Sequence, residues 1–149
     1  MSDDTKVRDA LFELVANGKQ GVLATIKRDG RPQLSNIIYR WDSESRTASI
    51  SITADRVKSK NAARDPRVSL HVSAPDFWGY AVIEGSAELT PPAADPHDEV
   101  VDALVDLYRD ISGKEHPDWE EYRQAMVAER RQILSMQADH VYGMAGTVE

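Results

Sequence analysis

Short alternating segments separated by turn signals fill the first half of the chain, and this pattern limits the possible folds more than any other feature. Gly21–Lys27 and Pro32–Trp41 flank the dipeptide Asp29-Gly30, which is a strong hairpin signal. Thr47–Thr53 (TASISIT) alternates strictly, as a strand with one buried face does. We expect these three segments to form a meander of antiparallel strands.

The remainder of the chain mixes helical and extended patterns. The predicted helices are an N-terminal one through Val7–Val15, a crossover over Asp55–Arg64, and two more after the proline-rich loop Thr90–Pro96, the second of which begins with Asp118 and Glu121 at capping-box spacing. The predicted strands are Val68–Ser73, Phe77–Leu89 with a bulge at Gly85, and a closing pair over Gln132–Gln137 and His140–Tyr142. These elements predict one α+β domain over residues 1–149, built on a small antiparallel barrel. Such a barrel has little interior room, so we expect a sizeable ligand to lie outside it, at an interface between subunits.

Composition excludes several classes of protein. The chain has 18 Lys and Arg against 25 Asp and Glu, a net charge of −7, which argues against nucleic acid or anionic membrane as a broad partner. It has no Cys, and therefore neither a disulfide framework nor a thiolate site. The acidic N-terminus has no apolar signal core, and no apolar run approaches a membrane span. We therefore expect a cytoplasmic protein.

The net charge conceals a local basic cluster. Ala54–Arg67 contains five basic residues and two acidic ones, a balance of +3. Arg56 and Lys58 stand at the start of the predicted crossover helix, where free N–H groups and the helix dipole favour an anion. The same pattern also fits a solvated basic helix face. The two side chains stand two residues apart, and this spacing is expected if both converge on a phosphate bound at the helix start.

Two further segments carry unusual side chains. Gln33, Ser35 and Asn36 interrupt an otherwise apolar strand, and they need either a heterocyclic ligand or neighbouring strands as hydrogen-bond partners. Ser49 and Ser51 on the next predicted strand are available for that second role. The run Trp78-Gly79-Tyr80 is either core or a place where a flat ring could approach the backbone at the glycine.

Signatures of catalysis by side chains alone are missing. The sequence has no nucleophile elbow, no phosphate-binding P-loop and no dinucleotide fingerprint. The four histidines, His71, His97, His116 and His140, are scattered without ligand spacing, so we expect no metal site. If the protein is an enzyme, a cofactor should carry the reaction, and Tyr80 is the nearest candidate for a proton donor.

The blocks GVLATIKRDGRPQLSNIIY, RVKSKNAARDPRVSLHV and FWGYAVIEGSAELT resemble the pyridoxamine 5′-phosphate oxidase-like split barrels. The late block DLYRDISGKEHPDWEEYRQAMVAERRQIL with DHVYG narrows the resemblance to the flavin/deazaflavin oxidoreductases, and within them to a small subgroup that binds coenzyme F420. The resemblance implies a homodimeric split barrel that transfers hydride between reduced deazaflavin and a small organic substrate. The C-terminal contacts of a true pyridoxamine 5′-phosphate oxidase are missing, which argues against vitamin B6 oxidation.

The resemblance also implies roles for particular residues. It places Arg56, Lys58 and Asn61 at the cofactor phosphate, Gln33, Ser35, Asn36, Ser49, Ser51, Ile50 and Ile52 along the cofactor ring and its ribityl chain, and Trp78, Gly79 and Tyr80 in the site from the partner subunit. Lys60 and Arg64 are its candidates for the anionic oligoglutamate tail. Two alternatives stay open, namely an FMN-dependent oxidase or reductase and a non-catalytic carrier of the deazaflavin.

Overall fold

Four helices and one sheet of seven strands make up the protein in the computed structural model, which describes residues 3–146. The helices are α1 (Asp3–Asn17), α2 (Val57–Arg64), α3 (Glu99–Ser112) and α4 (Trp119–Ala128). The strands are β1 (Gln20–Ile26), β2 (Pro32–Ile38), β3 (Arg40–Asp42), β4 (Thr47–Thr53), β5 (Arg67–Ser73), β6 (Tyr80–Leu89) and β7 (Arg131–Met144). None of the four helices is long and apolar enough to cross a bilayer.

The sheet is antiparallel throughout, with the strand order β2-β1-β5-β6-β7-β4-β3. Its curl brings β2 near β4 without pairing them, so the sheet is a half-barrel with an open seam. The β1–β2 hairpin is confirmed at the predicted position. Gly30 adopts a positive φ of 87° there, and its N–H donates to the Lys27 carbonyl at 2.9 Å. The predicted α+β class on a small antiparallel barrel is confirmed.

The predicted meander is wrong, because the chain leaves β2 after Ile38 and crosses to the opposite edge of the sheet. Tyr39 holds this crossing. Its N–H donates to the Lys19 carbonyl at 2.9 Å, and its phenol donates to the Val15 carbonyl at 2.5 Å. Burial raises the pKa of this phenol well above its ordinary value. The single predicted strand Pro32–Trp41 is therefore two strands at opposite edges.

The closing strands also differ from expectation. The two predicted segments are one continuous strand, β7, which pairs with both β6 and β4. The predicted bulge at Gly85 is confirmed. Glu84 pairs with His140 and Gly85 with Ala138, which leaves Asp139 as the extra residue. β6 begins at Tyr80 rather than at Phe77, because the preceding residues form a turn.

Two apolar clusters support this fold. The larger one fills the barrel interior, with side chains such as Leu23, Ile50 and Leu70 almost fully buried. The smaller one lies between α3, α4 and the sheet. Asp98 and Asp118 cap the two late helices by accepting backbone N–H bonds from Val101 and Glu121. The predicted start of the second late helix at Asp118 is thus confirmed.

Candidate functional site

A groove of about 1690 Å³ lies at the barrel seam and is larger than a typical pocket for one small molecule, roughly 300–1,000 Å³. One wall comes from α1, β1 and β2, and the other from α3 and α4. Lys58, Ser51 and Arg131 lie at its polar end, and Asn36 lies on its β2 side. The groove therefore brings a cationic cluster together with the edge of the polar strand.

The cationic cluster consists of Arg56, Lys58 and Arg131. Burial lowers the pKa of the Lys58 ammonium, and the positive charges of Arg56 and Arg131 lower it further. Within residues 3–146, neither Arg56 nor Lys58 forms an ion pair with an acidic group. Arg131 pairs with Glu129 at 3.0 Å, and its Nη1 lies 3.5 Å from Ser51 Oγ. The site holds more positive charge than its own acidic residues neutralise.

Helix α2 begins at this cluster without a side-chain cap. Arg56 is the N-cap residue, its side chain accepts no backbone N–H, and the first turn contains no acidic residue. By contrast, α3 and α4 each begin with an aspartate cap. The first N–H groups of α2 and its dipole therefore favour an external anion beside Lys58. Arg56 and Lys58 thus lie at the start of α2, as predicted, next to N–H groups that have no side-chain cap.

Asn61 faces the barrel rather than the cationic cluster. It is buried, at 4% exposure, and its Nδ2 donates to Gln33 Oε1 at 2.9 Å and to Thr25 Oγ1 at 3.2 Å. Its Oδ1 accepts from Arg64 Nη2, which also donates to the Ile26 carbonyl. Asn61 thus fixes α2 against the β1–β2 hairpin. Arg64 is engaged in the same network instead of extending toward a ligand.

The predicted ring-lining residues divide between two faces. On β2, the register places Gln33 and Ser35 opposite Thr25 and Leu23, toward the barrel interior, whereas Asn36 lies on the other face. On β4, the side chains of Ile50 and Ile52 are buried in the barrel core. Ser49 and Ser51 lie on the opposite face of that strand, where Ser49 Oγ is 3.4 Å from Ser135 Oγ.

Trp78, Gly79 and Tyr80 do not line the groove of their own chain. Phe77 and Trp78 are 80% and 74% exposed at a turn where Phe77 has a positive φ of 69°. Tyr80 stacks on His71 at a centroid distance of 5.3 Å. A Cβ on Gly79 would lie 3.2 Å from the Met144 carbonyl oxygen, so the chain itself fills the space beside this glycine.

No group of three or more His, Asp or Glu side chains within residues 3–146 is arranged to hold a metal ion. The polar side chains that line the groove include the cations Lys58 and Arg131, the carboxylate of Glu13 and the imidazole of His71. The half-barrel, its seam and the uncapped α2 can be compared with known proteins. The family model for pyridoxamine 5′-phosphate oxidase matches residues 7–145. The chain belongs to that family.

Solved structures similar to this pyridoxamine 5′-phosphate oxidase family member share its fold. A conserved hypothetical protein from Mycobacterium tuberculosis aligns with a TM-score of 0.69 and 22% identity, over 97% of this chain and 84% of its own. An F420 reductase aligns with a TM-score of 0.63 and 25% identity, over 87% and 94%. A heme-binding protein from Mycobacterium smegmatis aligns with a TM-score of 0.70 and 17% identity, over 96% and 55%.

Sequence reasoning missed three groove residues of this family member. Arg131 reaches the cationic cluster only because β7 pairs with β4 and places it opposite Thr53. Tyr108 and Tyr122 line the other wall, although the sequence placed them only within the two predicted late helices. No local pattern in the sequence indicates that Arg131 approaches residues so distant along the chain. The available signal was that Arg131 belongs to the late block that carries the family resemblance.

Proposed function

We propose that the chain is a coenzyme F420-dependent oxidoreductase that transfers hydride from reduced deazaflavin to a small organic substrate. The observation that carries this proposal is the uncapped start of α2 beside Lys58, a cation without an acidic partner among the described residues. A phosphate-bearing cofactor would supply the missing negative charge. The 25% identity to an F420 reductase over most of both chains supports the choice of deazaflavin.

The donor set of the groove fits such a cofactor. Arg56, Lys58 and the first N–H groups of α2 would hold the phosphate, and Arg131 would add a third cation beside Ser51. Asn36, on the face of β2 that lines the groove, would give a polar contact to the ring or the ribityl chain. Gln33 and Ser35 face the barrel interior from the same strand, so they would support β2 and not line the site.

When bound in its reduced form, the deazaflavin supplies a hydride, which is two electrons and one hydrogen. The chain has to orient the two reactants, exclude water from the groove and hold the charge that develops on the substrate. The cationic end of the groove fixes one reactant by its phosphate. The α3–α4 wall leaves the remaining volume for the second reactant.

We further propose that the working form is a homodimer. Leu34, Ile38, Tyr142 and Met144 expose between 46% and 66% of their surface on one side of the sheet, an apolar area that a second copy would cover. The exposed Phe77 and Trp78 would then extend into the partner's groove. This arrangement accounts for the absence of Trp78, Gly79 and Tyr80 from the groove of their own chain.

FMN is the second candidate cofactor, because the family model that matches this chain is that of pyridoxamine 5′-phosphate oxidase. The same cations would hold its phosphate. A non-catalytic deazaflavin carrier would use the same site without turnover, and a panel of reducible acceptors separates a carrier from an enzyme.

Titration of oxidised deazaflavin into the purified protein, followed by its fluorescence, tests the proposal. We expect saturable binding that weakens by roughly 10- to 100-fold in Lys58→Ala, as expected for loss of a charge-assisted contact. Lys6→Ala is the matched control, because Lys6 is exposed on α1, does not line the groove and forms no ion pair within the described chain. Absence of saturation with deazaflavin, together with tight binding of FMN, would replace the first candidate by the second.

A further inference from the structure

Two lysines line the groove in the described part of the chain, and their amines differ in how they are engaged. The Lys19 ammonium donates to the Ile111 carbonyl at 3.0 Å, so a backbone acceptor holds it. The Lys58 nitrogen has no hydrogen-bond or ion-pair partner within residues 3–146. The Lys58 amine is therefore available to a molecule that enters the groove.

The surroundings of Lys58 favour its neutral amine. Burial lowers the pKa of Lys58, and the positive charges of Arg56 and Arg131 lower it further. A lysine is a nucleophile only as the neutral amine, and burial and neighbouring cations are the means by which proteins activate it. The two guanidinium groups keep their own charge when Lys58 loses its proton. The cationic cluster can thus bind an anion and present a nucleophile at the same time.

Both arginines of the cluster have donors left for an anion. Arg56 forms no ion pair within the described part of the chain. Arg131 is held along one edge, because its Nε and Nη2 donate to Glu129 Oε1 at 3.1 and 3.0 Å. Its Nη1 lies 3.5 Å from Ser51 Oγ, and both of these residues line the groove. A phosphate at this end of the groove would therefore meet two guanidinium groups close to the Lys58 amine.

We propose that Lys58 is a covalent modification site, acylated by small acyl phosphates that the two arginines orient through the phosphate group. In such a compound one oxygen joins the acyl carbon to the phosphorus, so a bound phosphate brings that carbon to the neighbouring amine. The resulting amide carries no charge, and its formation would remove one of the cations that hold a phosphate-bearing cofactor. This modification rests on the proposed function only through the shared anion site, and it does not depend on which cofactor fills that site.

The step is an acyl transfer in which nothing is oxidised or reduced. The neutral Lys58 nitrogen forms a bond to the acyl carbon, and the bond between that carbon and the phosphate oxygen breaks. Inorganic phosphate leaves with the electron pair, and the nitrogen gives its extra proton to the phosphate or to water. The two arginines stabilise the negative charge that grows on the leaving phosphate.

Acetyl phosphate is the probe, and peptide mass spectrometry follows the acetylation of each lysine in the cofactor-free protein. We expect Lys58 to react about tenfold faster or more than Lys19 and than Lys6, which is exposed on α1 outside the groove, as a charge-assisted contact to the phosphate implies. Inorganic phosphate should slow the reaction at Lys58 alone. With p-nitrophenyl acetate, an acetyl donor without phosphate, the preference for Lys58 should shrink.

Two variants test the part of the arginines. Arg131→Gln and Arg56→Gln should each slow acetylation of Lys58 by acetyl phosphate by about tenfold, as expected for loss of one charged contact. Arg28→Gln is the matched control and should leave the rate unchanged, because Arg28 is exposed at the hairpin turn, lies outside the groove and forms no ion pair within the described residues.

Equal rates at Lys58, Lys19 and Lys6 would overturn the proposal, as would a rate at Lys58 that neither inorganic phosphate nor the two arginine variants reduce. If deazaflavin does not bind while acetyl phosphate still selects Lys58, the proposed function fails and the modification site stands. If deazaflavin binds and Lys58 reacts no faster than the other lysines, only the modification site fails. Protein acetylated at Lys58 should bind deazaflavin roughly 10- to 100-fold more weakly, as Lys58→Ala does.

Discussion

The Asn61 Nδ2 amide donates to Gln33 Oε1 at 2.9 Å, and this bond joins the helix at the cationic cluster to the polar strand of the groove. The same amide donates to Thr25, so its loss removes two bonds from a buried position. Asn61 therefore connects the helix predicted to bind the cofactor phosphate to the strand predicted to line the cofactor ring.

We expect Asn61→Ala to lower the free energy of unfolding by about 1–3 kcal/mol, because Thr25 and Gln33 lose a buried partner. Deazaflavin affinity should fall as well, because α2 loses its attachment to the hairpin. Urea denaturation measures the first effect and fluorescence titration the second. Lys60→Ala, an exposed neighbour on α2, should change stability by less than about 0.5 kcal/mol. Equal stability of the two variants would contradict the role of Asn61.

The affinity for a phosphate-bearing cofactor should fall at high pH. Lys58 must be protonated to hold the anion, and its pKa in the free protein is lowered by burial and by Arg56 and Arg131. Binding should therefore weaken over the pH interval that approaches this lowered pKa from below, and this interval begins at a lower pH than for a lysine of ordinary pKa. In Lys58→Arg the guanidinium stays charged, so the affinity should stay nearly constant over that interval. A wild-type affinity that does not change with pH would remove Lys58 from the phosphate site.

Subunit mixing tests whether each site combines two chains. Trp78 is 74% exposed, so Trp78→Ala should leave the stability of the fold within about 0.5 kcal/mol of wild type and weaken cofactor binding. If Lys58 and Trp78 of different chains form one site, mixing Lys58→Ala with Trp78→Ala gives heterodimers with one intact site. About a quarter of all sites should then recover tight binding. No recovery after verified heterodimer formation would place both residues in the same chain's site or outside the site.

Gly85→Ala should destabilise the barrel severely. A Cβ at this position would clash with the Gln137 carbonyl oxygen across the bulge, and a backbone atom cannot move aside cheaply. We expect the free energy of unfolding to fall by about 3 kcal/mol or more, as measured by thermal or urea unfolding. Gly30→Ala is the control. Its φ is +87° and its surroundings are open, so only backbone strain of about 1–2 kcal/mol should appear. A Gly85→Ala variant as stable as Gly30→Ala would contradict this account.

Local chemistry made several features predictable from the sequence. Asp29-Gly30 specified the hairpin and Asp118 the start of α4, because each of these depends on neighbours within a few residues. Gly85 indicated the bulge as a glycine inside a strand, although the extra residue, Asp139, lies on the distant β7. The basic start of α2 was predictable for the same reason. A hairpin turn and a helix start are encoded where they occur.

Pairings between distant segments were not predictable in this way. The crossing at Tyr39 depends on the Val15 and Lys19 carbonyls, which only the folded chain brings to it. The approach of Arg131 to Ser51 requires the β4–β7 pairing, and the contact between the rings of Tyr108 and Tyr122 requires the packing of α3 against α4. The predicted meander failed because alternation identifies strands but carries no information about which strands pair.

The uncapped start of α2 also determines how the protein responds to the ions around it. We expect a helix start with cations nearby and no acidic residue in its first turn to accept small dianions, inorganic phosphate and sulfate included. Such ions would compete for the same point, so the apparent dissociation constant of a phosphate-bearing cofactor should rise linearly with their concentration. The cofactor affinity measured in phosphate buffer should therefore be weaker than the affinity measured in chloride buffer. In a cell, the concentration of free phosphate would set how much cofactor is needed to fill the site.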